Sequence, residues 1–266
     1  MKIGIFGCGG TIGRLLVREV VATEGCELSG GTSRPGGPHI GIDVGEPAGL
    51  EPVGLAISDD PRAVMAASDV IIDFSLAPAT AQHMLLAAET GIPVVLGTTG
   101  FDADDYAAID RAAADAAIVE APNTSANLNF LLMLIERIAG VLGDEYDAEV
   151  LSMSERRLPF APSGTAMEVA KTVAAGRGAN IDDVLEKVRD GVIGPRPPGT
   201  IGIAVVRGGR VSGGQRVIFA GDDEIVEVAY RSTDPAIYAK GAVTAAQWVV
   251  GKPPAKYSMR DVFGLA

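Results

Sequence analysis

The spacing of apolar residues switches repeatedly between two periods along the first half of the chain. Residues 2–6 form a short apolar run, and residues 11–23 place Ile12, Leu15, Leu16, Val20 and Val21 at helical spacing. Residues 27–31 read as a second strand. The alternation continues with a helix near 61–67, a strand at 70–74, a helix at 77–90, a strand at 93–97, a helix at 102–116 and a strand at 117–120. Strands separated by helices of this length predict parallel βαβ units, and so an α/β, doubly wound Rossmann sheet. The strands are largely apolar, as expected when helices cover both faces.

The texture changes after Asn123. Residues 128–142 read as one long apolar helix, 148–154 as a strand and 162–174 as a helix opening at a Pro-Ser-Gly-Thr turn. From Gly199 the pattern is strand-rich, with runs at 201–207, 211–212, 216–220 and 224–230 separated by glycine turns. This predicts a mixed or antiparallel sheet with one helical face. A last helix at 235–250 precedes a proline-containing tail. The expected organisation is a dinucleotide-binding domain over 1–125, completed by 236–266, with an inserted α+β domain over 126–235.

Composition narrows the partners. The net charge of −12 argues against nucleic acid or an anionic membrane, both of which reward the opposite sign. No window is expected to approach the roughly 18 apolar residues of a membrane span. Cys8 and Cys26, with a glycine-rich N-terminus unlike a signal peptide, suggest a reduced cytoplasmic protein. His39 and His83 are too few for a histidine-rich metal site, and no metal is expected.

Gly7-Cys8-Gly9-Gly10-Thr11-Ile12-Gly13 follows the first strand and opens the first helix. Glycines there permit a tight turn and close approach of backbone to a pyrophosphate, which the helix N-terminus then attracts. After the second strand comes Gly31-Thr32-Ser33-Arg34, with hydroxyls and an arginine but no carboxylate. An acidic residue there would select NAD, whereas arginine suits a 2′-phosphate. NADPH is therefore the expected cofactor, with NADH as the alternative. Gly97-Thr98-Thr99-Gly100 and Ala121-Pro122-Asn123 follow the fourth and fifth strands, where open α/β sheets bind ligands.

These motifs, with Asp73-Phe74-Ser75, Ala161-Pro162-Ser163-Gly164-Thr165-Ala166, Arg196-Pro197-Pro198-Gly199-Thr200-Ile201-Gly202 and Tyr257-Ser258-Met259-Arg260-Asp261-Val262, occur in an order that resembles the dihydrodipicolinate reductases. The resemblance runs from Met1 to the C-terminus. It implies a nicotinamide-dependent reduction of a cyclic dicarboxylate in lysine synthesis, and an inserted substrate domain that also builds a homotetramer. It also implies cofactor contacts at Gly7, Gly10, Thr11, Ile12, Arg34, Phe74, Gly97, Thr99, Ala121 and Asn123, and at Ser33. Ser33 stands where many members carry a ribose-binding glutamate, a departure that strengthens the expectation of NADPH. Ser163, Gly164 and Thr165 match the turn that holds a substrate carboxylate.

The segment before that turn departs most from the family. Its members read Glu-x-His-His-x-x-Lys-x-Asp before Ala-Pro-Ser-Gly-Thr. Here the histidines are Ser154 and Glu155, the lysine is Leu158 and the aspartate is Phe160. A substrate-contacting arginine before the last helix is Pro235. Ser154 is a weak acid and Leu158 is none, so the family's proton donor and dicarboxylate partner are missing. The expected reaction is hydride transfer to a smaller, more apolar imine or iminium, with reductive amination and its reverse, amine dehydrogenation, open to it. Glu155 is the candidate proton donor or ammonium-binding group beside Ser154, walled by Met153, Leu158 and Phe160. Arg156 is a candidate carboxylate ligand. The competing readings are an authentic 4-hydroxy-tetrahydrodipicolinate reductase, and an NADPH-binding protein without turnover.

Overall fold

A computed structural model describes residues 1–159 and 161–265, so Phe160 lies outside the described residues. The chain divides into two compact units, Met1–Ala126 with Ala236–Ala266, and Asn127–Pro235.

The first unit runs β1 (Lys2–Phe6), α1 (Thr11–Ala22), β2 (Glu27–Thr32), α2 (Gly45–Ala48), α3 (Pro61–Ala66), β3 (Val70–Asp73), α4 (Ala77–Thr90), β4 (Val94–Leu96), α5 (Ala103–Ala112) and β5 (Ala117–Glu120). Its sheet has the order β11-β5-β4-β3-β1-β2, where β11 is the late strand Ala255–Ser258, and every pairing is parallel. Alternate strand residues feed two cores. Ile3, Ile5, Ile72 and Val119 pack with Leu16, Val17 and Val20 of α1, while Phe6, Ile71, Leu96 and Ile118 pack with Met84 of α4 and Ile109 of α5. Both faces are therefore covered, which is why these strands carry no polar alternation. Asp102 caps α5 by accepting from the amides of Asp104 and Asp105, so the helix starts one residue later than its periodicity suggests.

The second unit contains α6 (Ala126–Leu142), β6 (Asp147–Ser154), α7 (Gly164–Gly176), α8 (Ile181–Val184), β7 (Leu185–Glu186), β8 (Ile201–Arg207), β9 (Gly213–Ala220) and β10 (Ile225–Ser232). Its five-stranded sheet is mixed, in the order β10-β9-β6-β8-β7. The separate strand expected at 211–212 does not form. β9 instead begins at Gly213 and pairs without interruption to Ala220.

Side chains on the helix-facing side of this sheet line up in rows. The first row is Ile201–Ala148–Phe219–Val226 and the second is Ile203–Val150–Val217–Val228. Both rows pack against α6 and α7 in one core. Arg177, the C-cap of α7, donates from Nη2 to the carbonyl of Tyr146 at 2.5 Å, just before β6 begins. α7 therefore runs antiparallel to β6, and its N-terminus lies at the C-terminal end of β6.

Residues 126–145 correct one expectation. Among the described residues this stretch of 20 is long and apolar enough to cross a membrane, with mean hydropathy 1.4. Its Leu128, Leu132, Ile135 and Ala139 are buried in the second unit's core, while Phe130 and Val141 are exposed. The chain then returns to the first unit through α9 (Ala236–Val249), β11 and α10 (Met259–Phe263). The tail after α9 is thus an ordered sheet edge, paired with β5, and α10 is closed by a Ser258–Asp261 capping box.

Candidate active site

In the first unit, β1 to β5 end along one edge, and the loops that follow them are tied to their neighbours by backbone hydrogen bonds. Gly7 and Cys8 amides both donate to the Thr32 carbonyl at 3.0 Å, and the Phe74 amide to Phe6 at 3.1 Å. The Gly97 amide donates to Asp73 at 2.9 Å and the Ala121 amide to Leu96 at 2.8 Å. Gly7, Phe74, Gly97 and Ala121, far apart in sequence, therefore stand side by side.

The glycine loop is shaped for close approach. Gly7 adopts φ +80°, and a Cβ there would sit 2.6 Å from the Phe74 carbonyl oxygen. A Cβ on Gly13 would collide with the Gly7 carbonyl and the Cys8 backbone. The N-cap of α1 is Gly10, which offers no side chain to the first-turn amides. Such an end is a ready anion site. Ser75 Oγ, just after β3, is buried without a hydrogen-bond partner among the described residues. A loop without room for side chains, an uncapped helix start and an orphaned hydroxyl on one edge fit a dinucleotide. Bound there, it would supply the hydride. Gly7, Gly10, Thr11 and Ile12 would hold its pyrophosphate, with Phe74, Gly97, Thr99, Ala121 and Asn123 along the same edge. Asn123 also organises its own loop, since Oδ1 accepts from the Ser125 amide at 3.0 Å.

At the end of β2, Ser33 is half-buried, with its amide donating to Ser58 at 3.0 Å, and Arg34 is exposed. Two side chains outside the sequence motifs join this end. Arg14 donates from Nε to the Gly9 carbonyl at 3.0 Å, and its Nη2 lies 3.3 Å from His39 Nε2. His39 in turn lies against Gly9, where a Cβ would meet its ring carbon at 2.8 Å. A histidine 30 residues downstream gave no local signal of this placement.

A second group missed in the sequence sits at the ends of β3 and β4. Asp73 is fully buried; its Oδ2 contacts His83 Nδ1 of α4 at 2.7 Å. Its Oδ1 accepts from the Ser75 amide at 2.9 Å and from Thr98 Oγ1 at 3.4 Å. This carboxylate therefore fixes both loops at that part of the edge. The only sequence signal was an acid closing an otherwise apolar strand, ten residues before a histidine on the following helix. Cys8, beneath the glycine loop, is no nucleophile: burial pushes its thiol from 9.0 up to about 11.

In the second unit, Ser154 closes β6 at 7% exposure and points to the helix layer. Glu155, Arg156 and Arg157 are exposed in the turn that follows, whereas Leu158 is half-buried. The turn is pinned to the connection between β8 and β9, the two strands that flank β6. The Arg156 amide donates to Gly209 at 3.3 Å, the Gly208 amide to Ser154 at 3.1 Å, and Arg207 Nη1 to the Leu158 carbonyl. The apolar wall expected around Glu155 does not form as drawn. Strand alternation sends Met153 to the sheet face opposite Ser154, and Glu155 itself is exposed. Ser163 caps α7 by accepting from the Ala166 amide at 3.2 Å, and Gly164 next to it faces open space. Thr165 follows, half-buried, in the first turn.

The third row of the second sheet is Val205–Ser152–Gln215–Tyr230. Ser152 Oγ and Gln215 Oε1 are buried there without a hydrogen-bond partner among the described residues. Each such orphan costs about 1–3 kcal/mol. No group of acidic, histidine or cysteine residues among the described residues is arranged to hold a metal.

A Rossmann sheet with a dinucleotide edge, followed by a separate mixed-sheet unit, defines a nicotinamide-dependent oxidoreductase. The comparisons with known proteins agree and go further. The family model described as dihydrodipicolinate reductase, N-terminus, matches residues 1–124, and that described as dihydrodipicolinate reductase, C-terminus, matches residues 127–263. The chain is 41% identical to a 4-hydroxy-tetrahydrodipicolinate reductase from Anaeromyxobacter dehalogenans, covering 99% of this chain and 98% of the relative. It is 42% identical to one from Rhodopseudomonas palustris, covering 100% and 98%. Among solved structures, a dipicolinate-bound dihydrodipicolinate reductase from Paenisporosarcina sp. TG-14 matches with TM-score 0.72 at 18% identity, covering 97% of each chain. An amine dehydrogenase from Mycobacterium smegmatis matches with TM-score 0.66 at 14% identity, covering 97% and 95%. At those identities both show the fold alone. The chain belongs to the dihydrodipicolinate reductase family.

Proposed function

We propose that this chain is an NADPH-dependent reductase that delivers hydride to the carbon of a small C=N substrate other than the usual cyclic dicarboxylate. The observation that carries this reading is the pairing of a complete dinucleotide edge with a substrate segment that holds no histidine or lysine. Reducing C=N needs a hydride at carbon and a proton at nitrogen. A substrate that arrives as an iminium already carries that proton, so the loss of a buried acid matters less for it. Ser154 would then hydrogen-bond the reacting group, and Glu155 with Arg156 would act at the mouth of the segment. The N-terminus of α7 at Ser163, Gly164 and Thr165 would take one carboxylate. NADPH is preferred over NADH because Ser33 and Arg34 offer a 2′-phosphate donors and no repelling carboxylate.

A second reading has its own support. Identities of 40–42% over essentially the full length, to relatives named 4-hydroxy-tetrahydrodipicolinate reductase, favour the same reaction here more directly than they favour a shifted substrate. NADPH oxidation followed by absorbance separates the two. The first reading expects turnover of simple cyclic imines or ketone–amine mixtures, with the pathway substrate at least about a hundredfold slower, the loss expected on removing a catalytic acid. Turnover of the pathway substrate at a rate equal to that of the relatives overturns it in favour of the second. Oxidation with no substrate of either kind would leave cofactor binding without catalysis.

Assembly follows the same logic. The sheet face opposite α6 and α7 presents Leu151, Met153, Val206 and Ile218, and this face would pair copies of the chain into a tetramer. Light scattering that gave a monomer would remove that element of the proposal.

A further inference from the structure

The third row of the second sheet breaks a pattern that the first two rows establish. In the two central columns, β6 and β9, the rows read Ala148–Phe219, then Val150–Val217, then Ser152–Gln215. An apolar pair fits those columns one row earlier, so nothing in the backbone demands polar side chains at 152 and 215. Ser152 is 0% exposed and Gln215 5%, yet Ser152 Oγ and Gln215 Oε1 have no partner among the described residues. The row lies at the end of β6 where α7 begins, as the Arg177–Tyr146 contact at the opposite end of that helix requires. Ser154 continues the same face one step further.

We propose that Ser152 and Gln215 form a subsite for a neutral hydrogen-bonding group of the substrate: a hydroxyl, an amide or an imine N–H. The inference deepens the C=N reductase reading and rests on it. Cross-strand neighbours have Cβ atoms about 5 Å apart, so one small group can reach both side chains. Gln215 Oε1 accepts and Ser152 Oγ both donates and accepts, which suits a group with the same dual character. A second carboxylate would be poorly held. The row offers no cation, Arg156 and Arg157 are exposed, and Arg207 is engaged with the Leu158 carbonyl. A charge buried without a partner is disfavoured far more than a neutral group that completes two hydrogen bonds. The substrate class that follows is a monocarboxylate. Its carboxylate sits at the N-terminus of α7, and it carries a neutral polar substituent where the family's usual substrate has its second carboxylate.

The test uses the full chain saturated with NADP⁺ and three non-reducible probes in calorimetry: pyridine-2-carboxylate, 6-(hydroxymethyl)pyridine-2-carboxylate and pyridine-2,6-dicarboxylate. The hydroxymethyl compound is expected to bind about tenfold tighter than the parent, the worth of one or two well-made hydrogen bonds, and the dicarboxylate no tighter than the parent. Ser152→Ala and Gln215→Leu should each reduce that advantage to about threefold or less. Cofactor titration of each variant confirms that it is folded. Should the leucine variant fail that check, the nearly isosteric Ser152→Ala carries the test alone. Equal binding of parent and hydroxymethyl compound overturns the subsite, since an internal water would then satisfy the two side chains. So does tightest binding of the dicarboxylate, no binding of any probe, or an advantage that survives both variants. The two levels separate cleanly. Imine turnover without a hydroxyl advantage sinks the subsite and keeps the reductase reading. A hydroxyl advantage without turnover of any imine does the reverse.

Discussion

At the strand ends of the first unit, the buried carboxylate of Asp73 is met by a histidine ring, a backbone amide and a hydroxyl, and each neighbouring loop is tied to the next by a main-chain bond. At the end of β6 in the second unit, Ser152 Oγ and Gln215 Oε1 lie buried on opposed residues without a hydrogen-bond partner among the described residues. The first arrangement is built largely from backbone, and its polar contacts hold loops in place. The second is built from side chains, and part of its hydrogen-bonding capacity is left unmet among the described residues. One edge is therefore a tightly bonded frame that fits a dinucleotide. The other is where, on the subsite proposed above, this chain's choice of substrate would be set. The contrast can be broken or sharpened by substitution at either edge.

The largest effect is expected at His83. Replacing it by leucine leaves the Asp73 carboxylate buried without its shortest contact, which should cost about 3 kcal/mol or more of stability. Thermal unfolding would show this as a drop in Tm, smaller for His83→Gln, whose amide can still donate to Asp73. A leucine variant as stable as the wild type would mean that Asp73 does not depend on α4.

Next comes Gly13→Ala. The added methyl runs into the Gly7 carbonyl and the Cys8 backbone, so the loop must open to admit it. NADPH affinity, read by fluorescence titration, is expected to fall by about a hundredfold, roughly the loss of two or three amide contacts to a phosphate. Gly164→Ala makes the useful control at the second edge. Its Cβ meets open space, so NADPH binding should not change.

A smaller change is expected from Arg34→Glu. Replacing a charge-assisted contact by a carboxylate should weaken NADPH by about tenfold to a hundredfold while sparing NADH. Equal losses for both cofactors would place Arg34 away from the 2′-phosphate and leave the preference to Ser33, Arg14 or His39.

How much of this was legible in the sequence follows from the same contrast. The alternation of strands and helices, the glycine loop and the strand-end motifs could all be read directly, because there the residue type is the function. A glycine at 7 or 13 is needed whatever surrounds it. Asp73 with His83, and Arg14 with His39, were not legible, since their meeting depends on a helix folding back over a sheet. Ser152 and Gln215 are 63 positions apart, and only the antiparallel register of β6 and β9 makes them neighbours. Boundaries failed where caps decide them, as at Asp102, and at residues 211–212, where a β-strand pattern was too short to define its own pairing.

The smallest effect concerns Cys8 and tests whether the first edge is as closed as its bonding implies. Its Sγ donates to the Thr32 carbonyl at 3.3 Å and would touch a methyl on Gly31, so the thiol has little room and no cation to favour its charged form. Burial holds it protonated up to about 11, against 9.0 for a solvated thiol. At pH 8 roughly one molecule in a thousand would carry the thiolate, so iodoacetamide should react first at the half-buried Cys26. The raised value also sets a direction for stability. A thiol that ionises less readily when folded leaves stability intact below pH 9.0, and stability then declines as pH climbs from there toward about 11. Peptide mapping after alkylation across that window should find Cys8 modification rising with pH and slowed by NADPH. Rapid modification of Cys8 at pH 8 would instead show that the glycine loop opens readily, and the first edge would then share the second's dependence on a ligand to complete it.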